Sequence, residues 1–283
     1  MNKIKEGDIV GRKSYGKDIY FTVKRIITTR KSQIAILTGI TKRVEADSDI
    51  EDLEKIEKKE INQIIAKDKN ELYNKIRKIK QDIRRKYNLV QEKGKRGKEK
   101  IITGKILHLD GDKKYSEKSY NYYKKAGLNA IVKNIPEYKQ PQVIYNLLKA
   151  YKPDIVVITG HDSMLKKARD YNNIYNYRNS KYFIETVKEA RRYDKDMQNK
   201  LVIFAGACQS YYEALIMAGA NFASSPGRIL IDFVDPIIVA ETIAITEKYK
   251  YITIDDIVSE LRDGKKGVNG IGANGKMKIV TQL

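Results

Sequence analysis

Three apolar runs in this chain end in side chains that could do chemistry. KILHL (105–109) is followed by Asp110, Gly111 and Asp112; DIVVIT (154–159) by Gly160, His161 and Asp162; and LVIFA (201–205) by Gly206, Ala207, Cys208 and Gln209. Cys208 is the single cysteine, and His161 is one of only two histidines, standing 47 positions before it. A thiol becomes a strong nucleophile when a neighbouring base favours its thiolate, and an imidazole is the usual partner. Backbone amides at Gly160 and Cys208 would then be placed to stabilise a tetrahedral oxyanion. The plain alternatives are a small buried hydrophobe for Cys208 and a loop histidine for His161. The other histidine, His108, lies inside an apolar run, so no metal-ligand spacing is present; neither a metal nor a cofactor is expected.

These residues can meet only if the runs are neighbouring strands that point the same way. Apolar strand patterns at 105–109, 128–132, 154–159 and 201–205 alternate with helical patterns at 116–126, 139–151, 181–192 and 210–218. Strand–helix alternation implies parallel pairing through right-handed crossovers, hence a three-layer α/β domain with a mostly parallel sheet. Ligand sites of such sheets lie beyond the carboxyl ends of the strands. The acidic pair, the histidine and the cysteine all follow those ends.

The amino-terminal part is patterned differently. Period-two stretches at 8–10, 19–27 and 33–37, separated by SYGKD and TTRKS, fit a small SH3-like β-barrel over residues 1–50. Residues 51–100 read as a basic helical segment ending in a flexible linker, QEKGKRGKEK (91–100). Between 55 and 100 stand 17 Lys and Arg against 7 Asp and Glu, half of the net charge of +20 carried by all 283 residues. That excess fits a solvated helical face, and it also permits polyanion binding. One cysteine excludes an internal disulfide, and no apolar run is long enough for membrane insertion. The glycine-rich tail from Gly264 lacks phosphate-loop spacing and reads as a β-hairpin.

The His-before-Ala-Cys order at this spacing resembles the caspase-like cysteine peptidases, although Gly-His-Asp departs from their usual His-Gly. Over nearly its whole length the chain also resembles the YabG family of sporulation-specific peptidases. The motifs that carry this are GDIVGRKSY (7–15), EADSD (45–49), KILHLDGD (105–112), KPDIVVITGHD (152–162), YRNSKYF (177–183), LVIFAGACQS (201–210) and AGANFASSPGR (218–228). The resemblance implies a caspase-like peptidase domain over 101–283. It further implies a protease of the mother-cell cytoplasm, associated with the forming spore coat, that acts on spore coat and cortex-associated proteins and prefers to cut after arginine. A P1 arginine needs a carboxylate in its pocket. Asp112 is favoured over Asp110 for that S1 role, but the same Asp-Gly-Asp could equally cap a turn and the following helix, or hold a metal.

Other candidates are secondary. Asp162 either orients His161 or caps a loop, Asn179 or Ser180 caps a helix, and Ser224 and Ser225 are possible groove residues. Asp232 and Asp235 are reserve pocket acids. Arg96, in the linker, is a possible autocleavage site. The mechanism expected is acyl transfer through a Cys208 thioester with His161 as acid and base. The competing reading is a nucleic-acid-binding regulator with a basic amino-terminal half and a structural cysteine; nucleic acid is a possible partner but not the favoured one. A small-molecule hydrolase on the same dyad is a third reading.

Overall fold

Side chains that alternate along a strand leave one face to be covered, and in the first part of the chain strands adjacent in sequence cover it. The computed structural model describes residues 3–29, 32–93, 99–165, 170–196 and 200–281, in two units spanning 1–75 and 76–283. In the first unit β1 (Ile9–Arg12), β2 (Tyr20–Thr28), β3 (Gln33–Gly39), β4 (Glu45–Asp49) and β5 (Leu53–Lys55) form an antiparallel sheet in the order β4-β3-β2-β1-β5. Val10, Phe21, Val23, Ala35 and Leu37 are its core. Strand β4 is EADSD, an edge strand whose carboxylates discourage further pairing. Its lack of large apolar residues hides it from a periodicity reading.

Helix α1 (Lys58–Lys93) is one continuous element of 36 residues, free of Pro and Gly. Its few apolar positions are used selectively. Ile61, Ile76 and Ile79 are buried, while within the second unit Lys78 pairs with Glu260 and Lys86 Nζ donates to the carbonyl of Ile245 at 2.6 Å.

The second unit contains β6 (Glu99–Ile102), β7 (Ile106–Asp110), α2 (Lys113–Ala126), β8 (Ala130–Asn134), α3 (Gln140–Tyr151), β9 (Ile155–Thr159), α4 (Ser180–Asp196) and β10 (Val202–Ala205). It continues with α5 (Tyr212–Met217), β11 (Phe222–Ser224), α6 (Asp235–Ile245), β12 (Tyr251–Ile252), α7 (Gly264–Gly267), β13 (Val268–Gly270), β14 (Ala273–Asn274) and β15 (Lys278–Thr281). Six strands make the main sheet, β13-β11-β10-β9-β7-β8, with parallel pairing throughout except β13 against β11. The chain moves outward from β7 to β8 and returns to β9 on the other side of β7. That reversal opens a crevice at the carboxyl ends of β7 and β9, where α/β sheets bind ligands.

Strands β7, β9 and β10 are buried on both faces, as central parallel strands are. Leu107, Leu109, Val156, Ile158, Ile203 and Ala205 face Ile144, Leu148, Phe183, Val187 and Leu215 of α3, α4 and α5. Helices α2 and α6 pack on the other side, where His108 Nδ1 meets the Tyr123 hydroxyl at 3.1 Å. Arg191 of α4 ties the bottom of this layer. Its guanidinium donates to the carbonyls of Gly219 and Leu201 and to Asn221 Oδ1, which also accepts Ile203 N–H.

Two expectations need adjustment. The tail is not a hairpin: β13 pairs with β11, β14 with β12 and β15 with β6. Its strands are only two to four residues long and are interrupted by Gly272 at φ +89°, so each gains more by extending a different neighbour than by pairing with the next. The stretch read as linker also begins β6 at Glu99, while Arg96 lies outside the described residues.

Phe183, fully buried between α4 and the sheet, tests the packing of this layer. Phe183→Ala is expected to cost about 3–5 kcal/mol, because the cavity it leaves cannot collapse against strands paired on both sides. Urea unfolding should show a lower midpoint at an unchanged slope.

Candidate active site

Strand β7 ends in Asp110, which is only 1% exposed. Its Oδ1 accepts the amide of Asp112 at 2.8 Å, and its carbonyl oxygen accepts Asn134 Nδ2 and Ile135 N–H, each at 2.9 Å. Asp110 therefore folds the turn. Asp112 caps α2, its Oδ1 accepting the amides of Lys114 at 2.7 Å and Tyr115 at 3.2 Å. Its other oxygen, Oδ2, stands 2.7 Å from His161 Nε2. One carboxylate thus serves both as helix cap and as partner of the imidazole.

His161 is held on three sides. Its amide donates to Glu137 Oε1 at 2.6 Å, its carbonyl accepts Asn179 Nδ2 at 2.8 Å, and its ring meets Asp112 and the edge of Tyr115. The Glu137 carboxylate occupies the space between Gly111 and Gly160, where a Cβ on either glycine would collide with it. Those two glycines are required by this close approach. Glu137 was not foreseen, because it lies in the short turn between β8 and α3 with no apolar run leading to it; the glycines flanking its seat are the only trace of it in the sequence.

Strand β10 delivers the thiol through a sharp turn. Gly206 has φ +105° and is packed against Ser224, and Gln209 adopts a left-handed conformation at φ +54°. Cys208 is 3% exposed, with the amide of Ile231 donating to its sulfur at 3.4 Å and the carbonyl of the same residue 3.9 Å away. An N–H aimed at sulfur stabilises negative charge there. Ser224 and Ser225, expected at the groove, are fully buried beneath this turn. Ser224 Oγ donates to the carbonyl of Ala207 at 2.9 Å. Ser225 Oγ donates to the carbonyl of Ile229 at 2.8 Å and accepts the amide of Gln209 at 3.1 Å. Both brace the turn.

Asp162 does not turn toward the imidazole. It is buried and accepts four hydrogen bonds: from the amides of Ser163 and Asn179 and from the hydroxyls of Ser180 and Ser210. Burial pushes its pKa up from the ordinary carboxylate value, and the four donors oppose that shift. Farther along, Asp235 is fully buried and accepts the amides of Asp232 at 3.1 Å and Arg262 at 3.3 Å. Asp232, half-buried, follows Ile231 and accepts the amide of Val234 at 3.2 Å. Arg228, another unforeseen residue, packs its guanidinium over Tyr171, Tyr177 and Tyr211 and pairs with Glu213, fastening the loop before α4 to α5. Among the described residues no three His, Cys, Asp or Glu side chains converge as metal ligands, and no helix is long and apolar enough to cross a membrane.

An Asp–His pair at the strand reversal of a mostly parallel α/β sheet, with a thiol on the next strand end, stands where such sheets carry their ligand sites. The sequence model of the YabG peptidase U57 family matches residues 5–281. The chain is also 39% identical over 283 residues, 96% of each protein, to the sporulation-specific protease YabG of Bacillus subtilis (strain 168). It therefore belongs to the YabG peptidase family. Among solved structures, the receiver domain of the histidine kinase CKI1 from Arabidopsis thaliana complexed with Mg2+ aligns at 14% identity and a TM-score of 0.28. That match covers 41% of this chain and 79% of that one, and carries no argument.

If Glu137 fixes the backbone of His161, Gly160→Ala should lower kcat/KM by at least about tenfold, since the new methyl group displaces the carboxylate and with it the histidine. Combining Gly160→Ala with Glu137→Ala should be non-additive, the second change costing little once the first is present. Simple additivity in that double-mutant cycle would show that the two do not act through one contact.

Proposed function

We propose that this chain is a sporulation-specific cysteine endopeptidase that processes spore coat and cortex-associated proteins in the mother-cell cytoplasm at the forming coat, cutting after arginine. The observation that carries this reading is the placement of the lone thiol and an Asp-paired imidazole directly behind adjacent parallel strands, β10 and β9. In this reading Cys208, as thiolate, attacks the carbonyl carbon after P1. The amides of Cys208 and Gly160 receive the oxyanion, and His161 protonates the departing amine. His161 then takes a proton from water, whose oxygen attacks the thioester and frees the acyl product and the thiol. Asp112 on Nε2 fixes the ring and supports its positive charge, which directs Nδ1 to the reaction.

The candidate S1 acids differ in how far their oxygens are already engaged. Asp110 is sealed under its turn, and Asp112 already accepts two amides on Oδ1 and faces His161 through Oδ2, which leaves it little capacity for a guanidinium. Asp232 is half-buried, uses one oxygen on Val234, and adjoins the residue whose amide points at the thiol. We assign P1 arginine to Asp232 and keep Asp112 as the partner of the imidazole. The carboxy-terminal unit is read as caspase-like. The amino-terminal one is read as an SH3-like barrel, a reading supported by its strand order, in which β5 returns to lie beside β1.

The test is cleavage of matched peptides bearing Arg, Lys, Asp or Gln at P1. Cys208→Ala and His161→Ala should each lose at least about 1,000-fold in kcat/KM. Asp232→Asn should lose the preference for Arg while slow cleavage of neutral P1 persists, whereas Asp112→Asn should slow every substrate alike. Full activity in folded Cys208→Ala would refute the cysteine mechanism. Autocleavage is expected after Arg96, and an unchanged fragment pattern in Arg96→Ala would exclude it.

A further inference from the structure

The turn that carries Cys208 is tied to Ile229 through the Gln209 amide at 3.0 Å, and two serine hydroxyls brace its flanks. Ser210 Oγ accepts the amide of Ala207 at 2.9 Å, and Ser180 Oγ accepts the amide of Tyr211 at 2.8 Å. These amides bracket the thiol, one residue before it and three after. A hydroxyl has one proton, so a serine that accepts an amide in a fixed direction must send that proton elsewhere. Both serines send it to the same acceptor: Ser210 Oγ donates to Asp162 Oδ2 at 2.9 Å, and Ser180 Oγ donates to the same oxygen. The remaining oxygen, Oδ1, accepts the amides of Ser163 at 2.9 Å and Asn179 at 2.8 Å.

Asp162 is also the residue next to His161, on whose carbonyl Asn179 Nδ2 closes at 2.8 Å. The carboxylate thus joins three segments at one point: the loop after β9 that bears the imidazole, the start of α4, and the turn after β10 that bears the thiol, which are also tied by Asn179 Nδ2 on the His161 carbonyl and by the Met164 amide on Gln209 Oε1 at 3.3 Å. The polarity of the whole arrangement follows from one fact. An ionised carboxylate accepts only, so all four of its neighbours must donate, which turns the serine lone pairs toward Ala207 and Tyr211.

We propose that Asp162 is a positioning residue for the nucleophile, setting the place of Cys208 relative to His161 through Ser180 and Ser210. The proposal rests on the Cys208/His161 reading above. An amide at 162 has an NH2 group that must face a donor. Placed at Oδ2, it deprives both hydroxyl protons of their acceptor, and the oxygens that hold the Ala207 and Tyr211 amides shift although the volume of the side chain is unchanged. A displacement of about 1 Å at a reacting group costs on the order of 100-fold.

The experiment measures kcat and KM on a P1-arginine peptide for the full-length chain carrying Asp162→Asn, Ser180→Ala, Ser210→Ala, the double serine variant, and Cys208→Ala. The concentration of competent thiol is titrated in each with a peptidyl chloromethyl ketone. Asp162→Asn is expected to lose about 100-fold in kcat per titrated thiol with KM changed less than about threefold, and each serine variant about tenfold. Because both serines act through one carboxylate, adding the second serine change to the first should cost less than it does alone. If Asp162→Asn does not fold, the double serine variant decides the matter by the same readout. A merely structural role predicts a lower melting temperature and fewer titratable thiols, with kcat per thiol preserved; that result overturns the proposal. An active Cys208→Ala would instead remove the reading on which it rests, and the two failures are separate.

Discussion

The strand ends of a parallel sheet leave backbone N–H groups with no strand to meet, and in this protein carboxylates meet them. Asp110 takes the amide of Asp112, Asp112 those of Lys114 and Tyr115, Glu137 that of His161, and Asp162 those of Ser163 and Asn179. Each such bond satisfies an N–H in a loop or at a helix start, and a charged acceptor makes it stronger than a neutral one would. The loops at this rim are therefore fixed without being regular. A chain with a net charge of +20 places acids at this rim of the sheet, and the basic excess is concentrated elsewhere, on α1 and the residues that follow it.

That same constraint explains what could be read from the sequence and what could not. The parallel order and the rule that function follows the carboxyl ends were sufficient to bring His161, Cys208 and the Asp-Gly-Asp turn to one rim. Apolar runs and their last residues are local signals, and parallel pairing is a consequence of strand–helix alternation. The partner of each amide is not local. Glu137 reaches His161 across 24 residues, and Ser210 reaches Asp162 across 48. Nothing in the spacing distinguished Asp112 as a cap from Asp112 as a pocket acid, because a carboxylate suits both. The structure adds a third use, the imidazole, which needed the register of β7 against β9 to become visible.

The amino-terminal unit gave up its strands unevenly for a related reason. Strands β1, β2 and β3 contribute Val10, Phe21, Val23, Ala35 and Leu37 to a core, so their pattern is written in apolar residues. β4 contributes an edge and is written in Glu, Asp and Ser, which a periodicity argument passes over. In α1 the opposite holds. Among its described residues this 36-residue helix buries few positions, and the absence of Pro and Gly carries more information than its apolar spacing.

Backbone strain gives the last argument for preorganisation. Of the five non-glycine residues described with positive φ, three lie around the thiol turn: Gln209, Ser225 and Arg228. Each left-handed non-glycine residue costs about 1–2 kcal/mol and persists only where its surroundings over-determine it. Here they do. The amide of Gln209 is held by Ser225 and Ile229, Ser225 is buried against the carbonyls of Gly267 and Ile229, and Arg228 is anchored by three tyrosine rings and Glu213. A loop that merely connected two elements would relax by substituting glycine at these positions. Strained side chains, each with its own partners, make the turn around Cys208 costly to deform, and rigidity at that point is what the proposed pairing of a thiol with an imidazole on a different strand requires.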